Sequence, residues 1–278
     1  MKYISSSLSL MLLAALAGLA QSDFKRFAGA GGFNLGTGNP VRNEYPILLR
    51  LTEGGVVKNE IRLPMSTAAA DQTVVEDGPR MRVGDPLRPS DARVYVSGEE
   101  SSFVSTAFRQ VSLPGQKAIL IQQQGGFEHI KREHRLYAGQ KGKLVLVWSA
   151  SEGAGPTWSA ADIVDADGDG TDEIILYQGF AHPSAAETLS VTAFAWNAAQ
   201  GRFVKTVAPR SYSLQAGIYP TLAKARQARE NAGECGANLW ILRDPARGYC
   251  LAARTVRKQA AEEAVKMVRE CFPAASFR

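Results

Sequence analysis

After residue 20 the chain has no apolar run approaching the roughly 20 residues that a membrane-spanning helix needs, so no transmembrane segment is expected in the mature protein. Histidine is scarce, at three in 278 residues. His129, His134 and His182 stand in no metalloprotease register and read as ordinary loop or strand residues. HExxH, GxSxG, Gly-Lys-Ser/Thr and CxxC do not occur. Their absence removes the common zinc-peptidase, serine-hydrolase, phosphate-loop and thiol-redox readings and favours a protein without enzymatic activity. Cysteine is limited to Cys235, Cys250 and Cys271. An oxidising compartment would permit one disulfide and leave one thiol over, with the pairing open among the three possibilities.

Residues 1–20 carry an export signature. Lys2 gives a positive start, Leu8 to Ala20 is apolar except for Ser9, and Gly18 and Ala20 supply small residues at −3 and −1 of a cut before Gln21. A secreted protein, in the periplasm or at the cell surface, is the expectation. The net charge of +5 is unevenly placed: from Arg210 onward 12 Lys and Arg face 6 Asp and Glu, which leaves the preceding residues at −1. A basic exported segment suits an anionic polymer or surface in the envelope, and nothing points to nucleic acid.

Residues 21–42 include the Gly-rich stretch Ala28 to Pro40 and read as a flexible arm. Residues 43–208 read as an all-β region, with short apolar runs punctuated by Gly, Pro, Asn and Asp. Two stretches of it resemble each other. Ala118-Ile-Leu-Ile aligns with Glu173-Ile-Ile-Leu at an offset of 55, and Tyr137 to Val145 aligns with Trp196 to Val204 at an offset of 59. A degenerate third copy lies near Tyr45. That period suits four-stranded β units, in propeller-like repeats or a sandwich.

Within the second copy, Asp165-Ala-Asp167-Gly-Asp169-Gly170-Thr171-Asp172-Glu173 is the clearest chemical motif. Carboxylates at positions 1, 3 and 5 can converge on a hard cation, Gly170 permits the turn, and the Thr171 carbonyl and Glu173 can complete an oxygen shell. Position 12 is Leu176, not Glu, which excludes an EF-hand. The loop is similar to the calcium loops of the FG-GAP and VCBS β-repeat families. That resemblance implies structural calcium held by Asp165, Asp167, Asp169, Thr171 and Glu173.

Residues 209–278 read as strand–helix–strand–strand–helix–strand, a βαββαβ unit with both helices on one face and the other face bare. Leu214-Gln215-Ala216-Gly217, Tyr219, Ala225 and Tyr249-Cys-Leu-Ala-Ala-Arg254 resemble the SPOR (sporulation-related) domain, with departures at Ile218, Cys250 and Arg254. The resemblance implies a ferredoxin-like fold that binds peptidoglycan glycan strands on its bare face. Ser213 and Gln215 would meet sugar hydroxyls and acetamido groups, Tyr219 or Tyr249 would stack on a pyranose, and Arg247 and Arg254 would meet carboxylates. Antiparallel helices would put Cys235 and Cys271 at opposite ends of the sheet, with Cys250 on the bare side. No pair is then expected within the disulfide limit of about 7 Å between Cα atoms. The leading expectation is an envelope protein that binds peptidoglycan and keeps a calcium-stabilised β region for a further ligand or envelope partner. The alternatives are a cell-wall hydrolase targeted by its SPOR domain and an adhesion or surface-assembly protein.

Overall fold

The computed structural model describes residues 24–38, 44–64, 67–68, 72–76, 92–97, 103–126, 131–151, 157–237 and 239–277. The export signature lies outside them. The described chain is mostly antiparallel β-sheet, with its main helices near the C-terminus.

The first sheet has the order β1 (Lys25–Ala30), β2 (Phe33–Thr37), β4 (Ile47–Glu53), β5 (Val56–Arg62). Within the segment expected to be a flexible arm, residues 25–37 therefore form a hairpin. Gly31 and Gly32, at φ +60° and +93°, make its turn. Phe33 and Leu35 alternate inward and are fully buried, so the strand signal was present beneath the glycine content. A separate two-stranded ribbon pairs β3 (Glu44–Tyr45) with β6 (Thr67–Ala68).

The second sheet runs β12 (Lys143–Ser151), β11 (Lys131–Gln140), β10 (Gln116–Gly126), β9 (Phe103–Leu113), β8 (Ala92–Ser97), β7 (Gln72–Glu76). The third is a meander of β13 (Thr157–Val164), β14 (Glu173–Phe180), β15 (Thr188–Asn197) and β16 (Arg202–Thr206). The repeat read from the sequence maps onto these two sheets, since β10 aligns with β14 and the hairpin β11–β12 with β15–β16.

The sheets stack in chain order. Ile119 and Ile121 of β10 join Phe33, Leu35, Ile47, Leu49 and Leu51 in one core. Ala118 and Leu120, on the opposite face of the same strand, join Ile163, Ile174, Leu176 and Phe203 in the next. A strand buried on both faces needs an unbroken apolar run, which is why this one reads Ala-Ile-Leu-Ile rather than alternating. The outer face of the third sheet buries Ile175, Tyr177 and Ala193 with Val256 of the C-terminal unit packed against them.

β13 lies at the end of its sheet and would leave one backbone edge unpaired. Side chains from neighbouring layers cover it. Arg132 Nη1 donates to the Thr157 carbonyl at 3.2 Å, and Gln122 Nε2 donates to the Ala161 carbonyl at 3.0 Å. Beside them His134 Nε2 lies 2.6 Å from Ser159 Oγ. Asp162, completely buried, accepts from Arg109 Nη1 at 3.0 Å and from Arg257 Nε at 2.6 Å and Nη2 at 2.9 Å. Arg257 Nη2 also donates to the Ile163 carbonyl.

The C-terminal unit follows as β17 (Tyr212–Tyr219), α1 (Leu222–Asn231), a short α2 (Glu234–Ala237), β18 (Trp240–Asp244), β19 (Gly248–Thr255), α3 (Lys258–Val268) and β20 (Ser276–Phe277). Its sheet has the order β18-β19-β17-β20, all antiparallel. Thr221 caps α1 by accepting from the Lys224 N–H. Ala261, Ala264, Val265 and Val268 of α3 pack with Leu214, Ile241, Leu251 and Ala253 on one sheet face. Cys235 and Cys271 form a disulfide with Cα atoms 6.4 Å apart, and Cys250 is a buried free thiol. The expectation of three unpaired thiols is thus overturned. It rested on antiparallel helices that would hold Cys235 and Cys271 at opposite ends of the sheet. Instead the chain turns at Gly233 (φ +54°) and forms α2, with Gly236 held so close to the Arg229 carbonyl that a Cβ would sit 2.1 Å from it. That detour carries Cys235 to the end of α3.

Asp162→Ala would leave two guanidiniums facing a site that lost its carboxylate. Breaking a buried ion pair from one side costs about 3–5 kcal/mol. Urea unfolding should register a loss of that size, and a smaller loss for the paired substitution Arg109→Met with Asp162→Leu. His134 is buried and its pKa is lowered to about 4, chiefly by burial and next by the Arg132 charge, against a raising effect from Glu133. The unfolded chain, with an ordinary histidine, therefore binds more protons between about pH 6.5 and 4. Stability should fall as pH drops through that window, by up to about 1.4 kcal/mol per pH unit from this group. Denaturant midpoints measured from pH 7 to 5 should show the slope, and His134→Gln should flatten it.

Candidate functional site

The acidic loop joins β13 to β14. Its turns are made by Gly168 and Gly170, at φ +81° and +84°. Asp165 Oδ1 accepts from the Gly168 N–H at 2.8 Å and its Oδ2 from the Gly170 N–H at 3.0 Å. Glu173 is buried at the start of β14 and accepts from the Ala166 N–H at 2.7 Å. Carboxylate oxygens of Asp165, Asp167 and Glu173 lie within 4.8 Å of one another, so these three could hold a metal ion. Asp169 stands outside that group and accepts from the Thr171 N–H at 2.7 Å. The expected five-ligand set is therefore brought together only in part. Burial raises the Glu173 pKa, and the charges of Asp167, Asp169 and Asp165 add to the rise, while the Ala166 N–H opposes it. A cation there would reverse that balance.

Asp172 ties this loop to the neighbouring sheet. Its N–H donates to the Ser112 carbonyl at 3.0 Å, and its Oδ2 accepts from the Ser112 N–H at 2.6 Å. Ser112 belongs to the β9–β10 hairpin, which is the counterpart of the loop in the first repeat copy. Loop geometry and sheet docking are therefore mechanically linked.

The second candidate surface is the face of the C-terminal sheet away from its helices. Cross-strand pairing puts Ser213 with Arg254, Gln215 with Ala252 and Trp240, and Ile218 with Cys250 and Leu242 on this face. Gln215 Nε2 donates to Cys250 Sγ at 3.2 Å. Tyr219 and Tyr249 are not there. A bulge between Gln215 and Gly217 shifts the alternation of β17 by one and turns Tyr219 toward the helix side, where ordinary alternation on β19, opposite to Cys250 and Arg254, also puts its partner Tyr249. Tyr219 folds back over Gly217, where a Cβ would lie 2.6 Å from its hydroxyl. Arg243 lies over the Tyr249 ring, 4.8 Å from its centroid. Arg247 is held by Asp244 in the β18–β19 turn at 2.6 Å. Of the six expected glycan contacts, only Ser213, Gln215 and Arg254 share a face.

That face is also not wholly bare. Trp240 packs on Trp158 of the third sheet with ring centroids 5.7 Å apart. It also lies over Gly179, where a Cβ would come within 2.1 Å of the indole ring. Arg254 Nη1 donates to the Leu189 carbonyl at 3.1 Å, and the Val256 N–H donates to Tyr177 Oη at 3.0 Å. Glu187 clamps the β18 edge: its N–H donates to the Ile241 carbonyl at 2.8 Å and its carboxylate accepts from the Ile241 N–H at 2.8 Å. The same carboxylate pairs with Arg229 at 2.7 Å. The third sheet thus covers the β18 side of the face and leaves the β17 strip of Ser213, Gln215 and Ile218. The covering pair Trp158 and Trp240 went unread because each indole sits in an ordinary strand pattern. Asp162, in contrast, left a signal: an acid inside the apolar run Ala160-Ala-Asp-Ile-Val164 implies a buried counter-charge.

No family model, curated protein or solved structure matches this chain.

Proposed function

We propose that this is a secreted envelope protein that binds the glycan strands of peptidoglycan through a SPOR-like, ferredoxin-like C-terminal unit, displayed on a calcium-stabilised stack of propeller-like β repeats. The observation that carries the reading is the β18-β19-β17-β20 order, with α1 and α3 on one face and Ser213, Gln215 and Ile218 on the other. A hydroxyl, an amide and a partly exposed apolar side chain in one line suit a sugar polymer lying along β17. The excess of basic residues after Arg210 adds attraction to an anionic wall. The contact surface is narrower than a fully open sheet and centres on β17.

A second reading rests on the docking of Trp240, Arg254 and Arg257 against the third sheet. In it the C-terminal unit is the capping layer of the stack, and the protein is an adhesion or assembly module. Co-sedimentation with purified sacculi separates the two. Under the first reading the protein pellets, more strongly with sacculi whose stem peptides an amidase has removed. Gln215→Ala combined with Ser213→Ala should cut retention at least tenfold without changing the melting temperature. Protein left in the supernatant in both arms would establish the capping role.

Calcium is the ion proposed for Asp165, Asp167 and Glu173, because hard oxygen donors on a flexible loop suit it. Its role is structural: it neutralises the carboxylates and stiffens the loop that Asp172 fastens to Ser112. An ion that binds only the folded chain, at a hundred times its dissociation constant, adds about 2.7 kcal/mol. Thermal melting should rise by several degrees from EDTA to millimolar calcium, and Asp165→Asn should abolish the rise. Identical melting curves in the two buffers would dismiss the ion.

A further inference from the structure

The third sheet carries a polarity gradient on the face it turns to the second. Cross-strand rows can be read outward along it. Ile163 and Ile174 form an apolar row, followed by Ala161 with Leu176. Ser159, Gln178 and Ser190 come next, and then Thr157, Phe180 and Thr188. The inner rows are sealed by the second sheet, with His134 closing the polar row at Ser159. Beyond that point the two sheets part. They leave an open cleft of about 370 Å³ lined by Ser151 of β12 with Thr157, Gln178, Phe180, Thr188 and Ser190.

The lining chemistry is specific. Among the described residues, none of those lining the cleft has an ionisable side chain. Four hydroxyls and one amide surround an aromatic ring, and Phe180, 40% exposed, ends a strand whose first five residues are buried. An exposed phenyl flanked by neutral donors and acceptors matches a pyranose, which offers a C–H face to the ring and hydroxyls to its surroundings. The Arg132 guanidinium beside the lining is engaged by the Thr157 carbonyl. The volume falls in the range of small-ligand sites. His182, whose ring centroid is 6.1 Å from that of Phe180, extends the platform at its outer side.

We infer that the cleft between the second and third sheets is a binding site for neutral pyranose glycans, with Phe180 as the stacking platform and Gln178, Thr157, Thr188 and Ser190 as hydroxyl partners. This site stands apart from the β17 strip and does not rest on the reading of the C-terminal unit. It would give the β region a ligand of its own, so that one chain could hold a glycan at two places.

Titration calorimetry on the full mature chain tests this with two probes, the β-1,4-linked tetrasaccharides of N-acetylglucosamine and of glucose. Binding of at least one is expected at millimolar or lower concentration. Preference for the first would identify an acetamido-bearing glycan, and equal binding a recognition of the pyranose alone. Phe180→Ala should weaken the interaction at least tenfold and Gln178→Ala severalfold, while Phe180→Trp should retain it. Because Phe180 is exposed, the variants should melt as the parent does. Titrations in the Ser213→Ala, Gln215→Ala background read the cleft alone: heat that persists there and is lost on adding Phe180→Ala belongs to the cleft, and heat lost in that background alone belongs to the β17 strip and overturns the proposal. No heat with either sugar, or heat unaffected by Phe180→Ala, would overturn the proposal.

Discussion

Asp162 sits where three layers meet. One guanidinium reaches it from β9 of the second sheet, another from the residue that opens α3, and its own strand is the edge strand of the third sheet. A buried carboxylate costs several kcal/mol to desolvate and is tolerated only when its oxygens are filled. Here both oxygens are filled, by Arg109, Arg257 and the Ile163 N–H. Apolar cores bring the sheets together without fixing their registry, because burial is non-directional. The two ion pairs on Asp162 are directional, and they set how the second sheet, the third sheet and the C-terminal unit sit against one another.

The acidic loop belongs to the same scheme. It begins one residue after β13 ends, and Asp172 fastens it to the β9–β10 hairpin. The third sheet is therefore pinned to the second at two points along β13, by Arg109 near its end and by the Asp172–Ser112 pair beyond it. A cation at Asp165, Asp167 and Glu173 would stiffen the second of these pins. Calcium would then act on sheet docking, although it touches neither core.

Much of this architecture was legible in the chain. The unbroken runs Ala118-Ile-Leu-Ile and Glu173-Ile-Ile-Leu were legible as strands, and they fall in two successive antiparallel sheets, although the first copy sits in a six-stranded sheet where a four-stranded unit was expected. The second helix of the βαββαβ reading is α3, which the structure ends at Val268 and whose buried stripe is Ala261, Ala264, Val265 and Val268. What failed did so for local reasons. Glycines at 31 and 32 suggested a loose arm because a hairpin turn and a linker share that composition. The SPOR resemblance implied Tyr219 on the bare face, but one bulge residue in β17 inverts the alternation after it and turns Tyr219 away. The disulfide was missed because α2 is only four residues long and has no periodic signature. The covering of the C-terminal sheet could not be read at all, since it depends on Trp240 meeting Gly179 across 61 positions of chain.

That covering bears most on function. If a sheet is to bind a polymer across its whole width, it must be solvated along its whole width. Trp240 on Gly179, Arg254 on the Leu189 carbonyl and Glu187 on the β18 edge cover part of the β18 half. Ser213, Gln215 and Ile218 lie on the far half, next to the short β20. A glycan approaching there would run beside the third sheet rather than across the β18 corner. The clamp that narrows the surface also makes it rigid, because the Cys235–Cys271 disulfide holds the helices behind it and the third sheet holds its edge. A narrow strip on a rigid frame loses little conformational entropy on binding, and that compensates in part for its small area.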